Sequence, residues 1–184
     1  MSPDDSNPNL SSDEFERFVE DQIRKAGISL SEFKVQRLEK LSGSDGEYEI
    51  DVTARFRALD GDFLVLIECK RHKDPIKRDV VQILYDRLRT LGGHKGFVFS
   101  TAKFQSGAIE YAQKHRIALV QVADGATTYL TRSEQSPRHL PSWVPKYAGW
   151  VVSLNEKNEK CFSIIAEDIA HVFLEQMQPG TTPK

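Results

Sequence analysis

The sequence predicts an α/β fold: a mixed central sheet with helices on its faces. Three observations predict it. Apolar and polar residues alternate strictly from Tyr48 to Arg57, the period of a half-buried strand. Short, nearly continuous apolar runs follow at 63–67, 96–100 and 117–122, as in strands buried on both faces. Segments with apolar residues at helical spacing separate these runs, and such alternation implies a partly parallel sheet with covered faces.

The elements follow in order. Residues 1–12 are mostly Pro, Ser, Asn and Asp and read as a flexible N-terminus. Ser11 and Glu14 have capping-box spacing, and Phe15, Phe18, Val19, Ile23 and Ala26 place an amphipathic helix before Gly27. Residues 33–41 partly alternate and read as a strand, closed by the turn cluster 42–46. Tyr48, Ile50, Val52, Ala54 and Phe56 then alternate with Glu49, Asp51, Thr53, Arg55 and Arg57. Asp60-Gly61 is a hairpin signal, and the next strand runs through Phe63–Ile67 into Glu68-Cys69-Lys70. Asp79 is placed to cap a helix with Val80, Ile83, Leu84, Leu88 and Leu91 inward, ended by Gly92-Gly93. A strand at 96–100, a helix at 104–115 with Ala108, Tyr111 and Ala112 inward, and a strand at 117–122 complete the region 13–124. Residues 125–178 read as a C-terminal extension packed on this core: a loop with three prolines at 133–146, strands at 150–154 and 161–165, and a helix near 167–177. Residues 179–184 read as a flexible tail.

Several functional classes are excluded early. The longest apolar run, Phe63–Ile67, is far below the roughly 20 residues of a membrane span. No charged-then-apolar leader opens the chain, and two cysteines suit a reducing cytoplasm but not a disulfide framework or a four-cysteine zinc site. A phosphate-binding loop and a Gly-x-Ser-x-Gly elbow are both missing, and His94, His115, His139 and His171 are scattered. The formal net charge of -2 gives no global signature of a nucleic-acid binder, so any such role must rest on local residues.

The local residues stand at the hairpin. A two-residue Asp60-Gly61 turn places Asp51 opposite Lys70 and Thr53 opposite Glu68, so that all four side chains share one face. Glu68 then lies diagonally from Asp51 at about 7–8 Å, a gap that long side chains can close around an ion. Two carboxylates with water make a hard oxygen site suited to Mg2+. Such an ion polarises a phosphodiester, acidifies water and steadies the leaving oxygen. Lys70 can orient that water or neutralise the developing charge. The structural alternative is a cross-strand Asp51–Lys70 ion pair with Glu68 merely solvated. Cys69 points to the core.

Ile50-Asp51-Val52, followed by Ile67-Glu68-Cys69-Lys70-Arg71, resembles the PD-(D/E)xK nuclease signature. The cysteine between acid and lysine makes the chain similar to the Mrr-like restriction endonuclease family. Phe15-Glu16 in the first helix, and Gly96-Phe-Val-Phe-Ser-Thr101 with Phe104 and Ala108, extend the likeness over residues 13–124. Glu49 stands where the family often has glycine, and the nominal proline is absent. The resemblance implies a restriction-endonuclease-like αβββαβ core and a metal-dependent DNA endonuclease using Mg2+ or Mn2+. It makes Asp51, Glu68 and the carbonyl of Cys69 metal ligands, Lys70 the catalytic lysine, and Glu16 an accessory acid.

Around that site, Gln82 on the second helix is the best additional candidate, on the solvent face with Tyr85, Asp86 and Arg89. The stretch from Lys70 to Arg78 holds five Lys or Arg in nine residues. Arg71, Lys73, Lys77 and Arg78 are therefore expected to meet the backbone of double-stranded DNA, with affinity that depends on salt. Trp143, Tyr147 and Trp150 read as packing of the C-terminal lobe. Cutting both strands of a duplex favours a homodimer. A non-cleaving DNA-binding or assembly module on the same fold, and a Holliday-junction resolvase-like nuclease, stay open as alternatives.

Overall fold

The computed structural model describes residues 8–27, 30–124 and 146–165. Helix α1 (Ser12–Ala26) begins with the expected capping box: the Ser11 hydroxyl accepts the Glu14 amide, and the Glu14 carboxylate accepts the Ser11 amide. Phe15, Val19 and Ile23 are fully buried, each worth about 1.5–3 kcal/mol against exposure. Leu10 is buried in the same core, so packing reaches back into the stretch expected to be flexible.

Strands β1 (Ser31–Ser42), β2 (Glu47–Ala58) and β3 (Gly61–Lys70) form an antiparallel meander. Helix α2 (Arg78–Thr90), β4 (Lys95–Ser100), α3 (Ser106–Lys114) and β5 (Ala118–Asp124) follow, with β3, β4 and β5 parallel. Strand β6 (Tyr147–Leu154) pairs antiparallel with β5 and β7 (Lys160–Ile165) antiparallel with β6, giving one seven-stranded sheet in chain order. The described part of the C-terminal extension thus continues the sheet. The prolines and Trp143 of the expected loop, the helix near 167–177 and the tail lie outside the described residues.

Two cores flank the sheet. Helix α1 packs with Val52, Ala54, Val65, Ile67, Phe97 and Val120. Helices α2 and α3 cover Ile50, Leu66, Val98, Leu119 and Val152. The inward face of α2 carries Val81, Leu84 and Leu88. Ile83, expected inside, is 52 % exposed. Asp79 is not the cap: Lys77 holds that position, with no side-chain cap bond. Gly92, at φ +65°, provides the left-handed residue that ends the helix. Among the described residues, no helix is long and apolar enough to cross a membrane.

The hairpin corrects the expected register. Its turn residues are Leu59 and Asp60, with φ of 51° and 60°, and Ala58 pairs with Gly61. This register pairs Phe56 with Phe63, whose rings stack at 5.0 Å between centroids. The Asp60-Gly61 turn would have separated those rings. Holding Leu59 left-handed costs about 1–2 kcal/mol, and the aromatic pair returns about 0.5–1.5 kcal/mol beyond its burial.

A second irregularity lies at Asp51. The β1–β2 pairs run from Arg37–Val52 to Glu39–Ile50, skipping Leu38, whose φ is 47°. Ile50 and Val52 would share a face in an unbroken strand, yet Ile50 packs with α2 and α3 while Val52 packs with α1. Strand β2 therefore changes face at Asp51.

Candidate active site

The change of face aims Asp51 between strands. The β2–β3 ladder ends at Val52–Ile67, and the Cys69 amide donates to Asp51 Oδ2 at 2.7 Å. Continuing the register sets Asp51 beside Glu68, not opposite Lys70 as the sequence predicted. Burial, and next the charge of Glu68, push the Asp51 carboxyl up to about 6 against the pull of the Cys69 amide and Lys70. Among the described residues no cation forms a salt bridge with Asp51.

Glu68 is 6 % exposed. Its Oε1 meets Lys70 Nζ at 2.6 Å and its Oε2 meets Arg87 Nη1 at 3.0 Å. The expected structural alternative therefore fails in both particulars, because Lys70 pairs with Glu68 and Glu68 is not solvated. Thr53 also leaves the group. It is fully buried and its hydroxyl donates to the Glu39 carboxylate. Cys69 lies in the α1 core, where burial pushes its thiol well up, so only its carbonyl is available as a donor to an ion.

Glu16 stands on α1, and its carboxylate takes Arg37 Nη2 at 3.2 Å. The same Nη2 holds Asp13 at 2.6 Å. The negative charge of Glu16 nonetheless reaches Asp51 and raises it. Gln82 is exposed on α2, while Tyr85 is half-buried against His115 at 4.1 Å between ring centroids.

Arg71, Lys73, Lys77 and Arg78 are all exposed. The loop that carries them is anchored. His72 donates its amide to Thr101 Oγ1 and accepts from the same hydroxyl, both at 3.1 Å. The Thr101 amide reaches the Lys70 carbonyl, and Ile76 bridges Phe104 in parallel. Arg78 lies over the Tyr111 ring at 4.8 Å. The basic run is thus held beside the ends of β3 and β4.

Arg87 and Arg37 escaped the sequence reading. Arg87 follows the buried Leu84 by three positions and adjoins buried Leu88, so it borders the inward face of α2, where a charge needs a partner. Arg37 offered no such signal in an alternating strand.

Among the described residues, no three His, Cys, Asp or Glu side chains gather closely enough to hold a metal ion. Two carboxylates and one main-chain carbonyl do fit a hard cation that keeps several waters. Asp51 adds a half-buried carboxylate without a salt-bridge partner among the described residues.

A family model described as restriction endonuclease, Mrr_cat, matches residues 8–127. Among solved structures, the crystal structure of a protein of unknown function, AF1548, is 27 % identical with a TM-score of 0.47, covering 56 % of this chain and 54 % of that one. The DNA modification-dependent restriction endonuclease AspBHI is 16 % identical with a TM-score of 0.33, covering 65 % of this chain and 37 % of that one. The chain thus matches about half the length of the first and just over a third of the second. No curated protein matches it.

Proposed function

The chain belongs to the Mrr_cat restriction endonuclease family, and on that premise we propose that it hydrolyses phosphodiester bonds of double-stranded DNA with a bound Mg2+ or Mn2+ ion. The observation that carries the proposal is Asp51. Strand β2 breaks its ladder to put this carboxylate beside Glu68, and the buried, like-charged neighbour makes the charged form costly without a cation. Asp51, Glu68 and the Cys69 carbonyl would hold the ion. When bound, it acidifies water and stabilises charge on the phosphate oxygens.

The chain's own groups do the rest. Lys70, released from Glu68, places its ammonium against the phosphate or the attacking water and offsets the charge that develops there. Glu16 adds negative potential from the α1 side, and Gln82 can hydrogen-bond substrate from α2. Arg71, Lys73, Lys77 and Arg78 neutralise backbone phosphates, which gives affinity without sequence preference. Two copies acting together would cut both strands. Both cysteines are free, in keeping with a reducing, cytoplasmic setting.

Supercoiled plasmid incubated with the protein and Mg2+ or Mn2+ tests the reading. Nicking and linearisation are expected, with loss of at least 100-fold in Asp51→Ala. Cleavage that persists in that variant would overturn the site. Salt-sensitive DNA binding without metal-dependent nicking by the wild type would instead establish the non-cleaving module. Preference for a four-way junction over linear duplex would establish the resolvase-like enzyme.

A further inference from the structure

The pairing of Glu68 with two different cations carries an inference that rests on the metal-dependent reading above. We propose that Arg87 is a positioning residue: it fixes Glu68 through Oε2, while Lys70 is an exchangeable partner that yields Oε1 to the catalytic cation.

The two contacts differ in kind. Arg87 comes from a helix pinned by Val81, Leu84 and Leu88, and its guanidinium sits 3.0 Å from Oε2. A guanidinium is a planar donor of fixed geometry that cannot deprotonate, suited to holding a carboxylate in one orientation. Lys70 shares the strand with Glu68, two residues on, and its Nζ sits 2.6 Å from Oε1. It is a flexible point charge at the strand end, where the basic loop begins; the two cations are equally exposed, 27 % and 26 %, so they differ in chemistry and anchorage, not in access.

Function needs the two to separate. An ammonium 2.6 Å from Oε1 occupies the oxygen that a divalent ion would take, and like charge keeps the two cations from sharing it. When Lys70 leaves, Glu68 is still almost fully buried, and a buried carboxylate without a partner is strongly disfavoured. Arg87 removes that difficulty from the far side. It keeps Glu68 paired and aimed while Oε1 exchanges an ammonium for a divalent ion.

The test is Mn2+ binding to the full chain without DNA, followed by calorimetry and by the electron spin resonance of free Mn2+. If both residues were simple counter-charges, removing either would tighten Mn2+ binding. The proposal expects opposite signs. Lys70→Gln should tighten binding about 3- to 10-fold by removing the competitor for Oε1. Arg87→Gln should weaken it about 10- to 100-fold, the usual loss when a group that orients a metal ligand is removed. Arg87→Lys keeps the charge and loses the rigid, planar guanidinium, so it should weaken binding by about 3- to 10-fold, and it decides the matter should Arg87→Gln not fold. Tighter binding in Arg87→Gln, or unchanged binding in Arg87→Lys, overturns Arg87 as a positioning residue and leaves the nuclease reading standing. Wild-type protein that binds no Mn2+ overturns both. A merely structural Arg87 would lower the melting temperature without moving Mn2+ affinity.

Discussion

Replacing Asp51 by Asn should make the protein more stable while abolishing cleavage. Burial and the neighbouring Glu68 push this carboxyl from its ordinary 3.8 to about 6, which corresponds to at most about 3 kcal/mol. The sign follows from proton binding. The fold prefers the protonated carboxyl, so the native state holds its proton between pH 4 and 6 after the unfolded chain has released it. Stability from this group is therefore highest below pH 4, falls as pH rises through 6, and is flat above. Asn removes the charge and keeps an acceptor for the Cys69 amide that now donates to Oδ2 at 2.7 Å. At pH 8 with a chelator present, Asp51→Asn should gain about 1–3 kcal/mol, or roughly 3–10 °C in Tm. The gain should shrink toward zero at pH 4, and saturating Mn2+ should narrow it at pH 8 by stabilising the wild type alone. Melting curves at the two pH values, with and without Mn2+, read all three effects. Asp51→Asn melting at or below the wild type at pH 8, with a parallel pH profile, would refute the reasoning.

Three further outcomes follow from the same geometry. Replacing Leu59-Asp60 by Asn-Gly, residues that take left-handed conformations cheaply, should raise stability by about 1 kcal/mol and Tm by about 2–4 °C; no gain would mean that the turn holds no strain. Arg71→Ala with Lys73→Ala should weaken binding to a short duplex in chelator and lower the slope of log affinity against log salt by about 2; an unchanged slope removes the loop from the interface. Thr101→Val deletes the hydroxyl that bonds both the amide and the carbonyl of His72, a local loss of about 1 kcal/mol. Fluorescence anisotropy should show weaker DNA binding with Mn2+ affinity unchanged, and a drop in Mn2+ affinity would mean the clasp supports the carboxylates instead.

Much of the fold was legible because one signal dominated each element. The period-2 run set β2, the apolar runs set β3, β4 and β5, and the Ser11–Glu14 box set the start of α1. What failed was decided between elements. Asp60-Gly61 is the stronger local turn signal, but stacking Phe56 on Phe63 needed a turn one residue earlier. Strict alternation through Tyr48–Arg57 concealed the change of face at Asp51, because a hydropathy pattern does not reveal a positive φ on the neighbouring strand. The inward stripe of α2 runs through Val81 and not Ile83, which stands about 200° away around the helix; the apolar pairs Val80-Val81 and Ile83-Leu84 left the phase open to either reading. Arg87 was missed although it follows Ile83 by four positions, so a stripe drawn through Ile83 runs through a charged residue that needs a partner.

The same break in the strand explains why the site lies where it does. An antiparallel ladder consumes its amides in pairs, so a side chain enters the plane between two strands only where a pair is missing. Leu38 is skipped by the β1–β2 register, takes φ of 47° and is 48 % exposed, a costly conformation for a leucine with little burial to offset it. Opposite it, β2 turns Ile50 to the α2 and α3 core and Val52 to the α1 core. Asp51 stands at the crossover, and its carboxylate takes the Cys69 amide past the last β2–β3 pair. A regular strand would have set Ile50 on the same face as Val52 and kept the ladder closed without a left-handed Leu38, but with no carboxylate between the strands. The strain at Leu38 and the raised carboxyl of Asp51 are therefore two costs of one device, and the cation proposed between Asp51 and Glu68 would relieve the second of them.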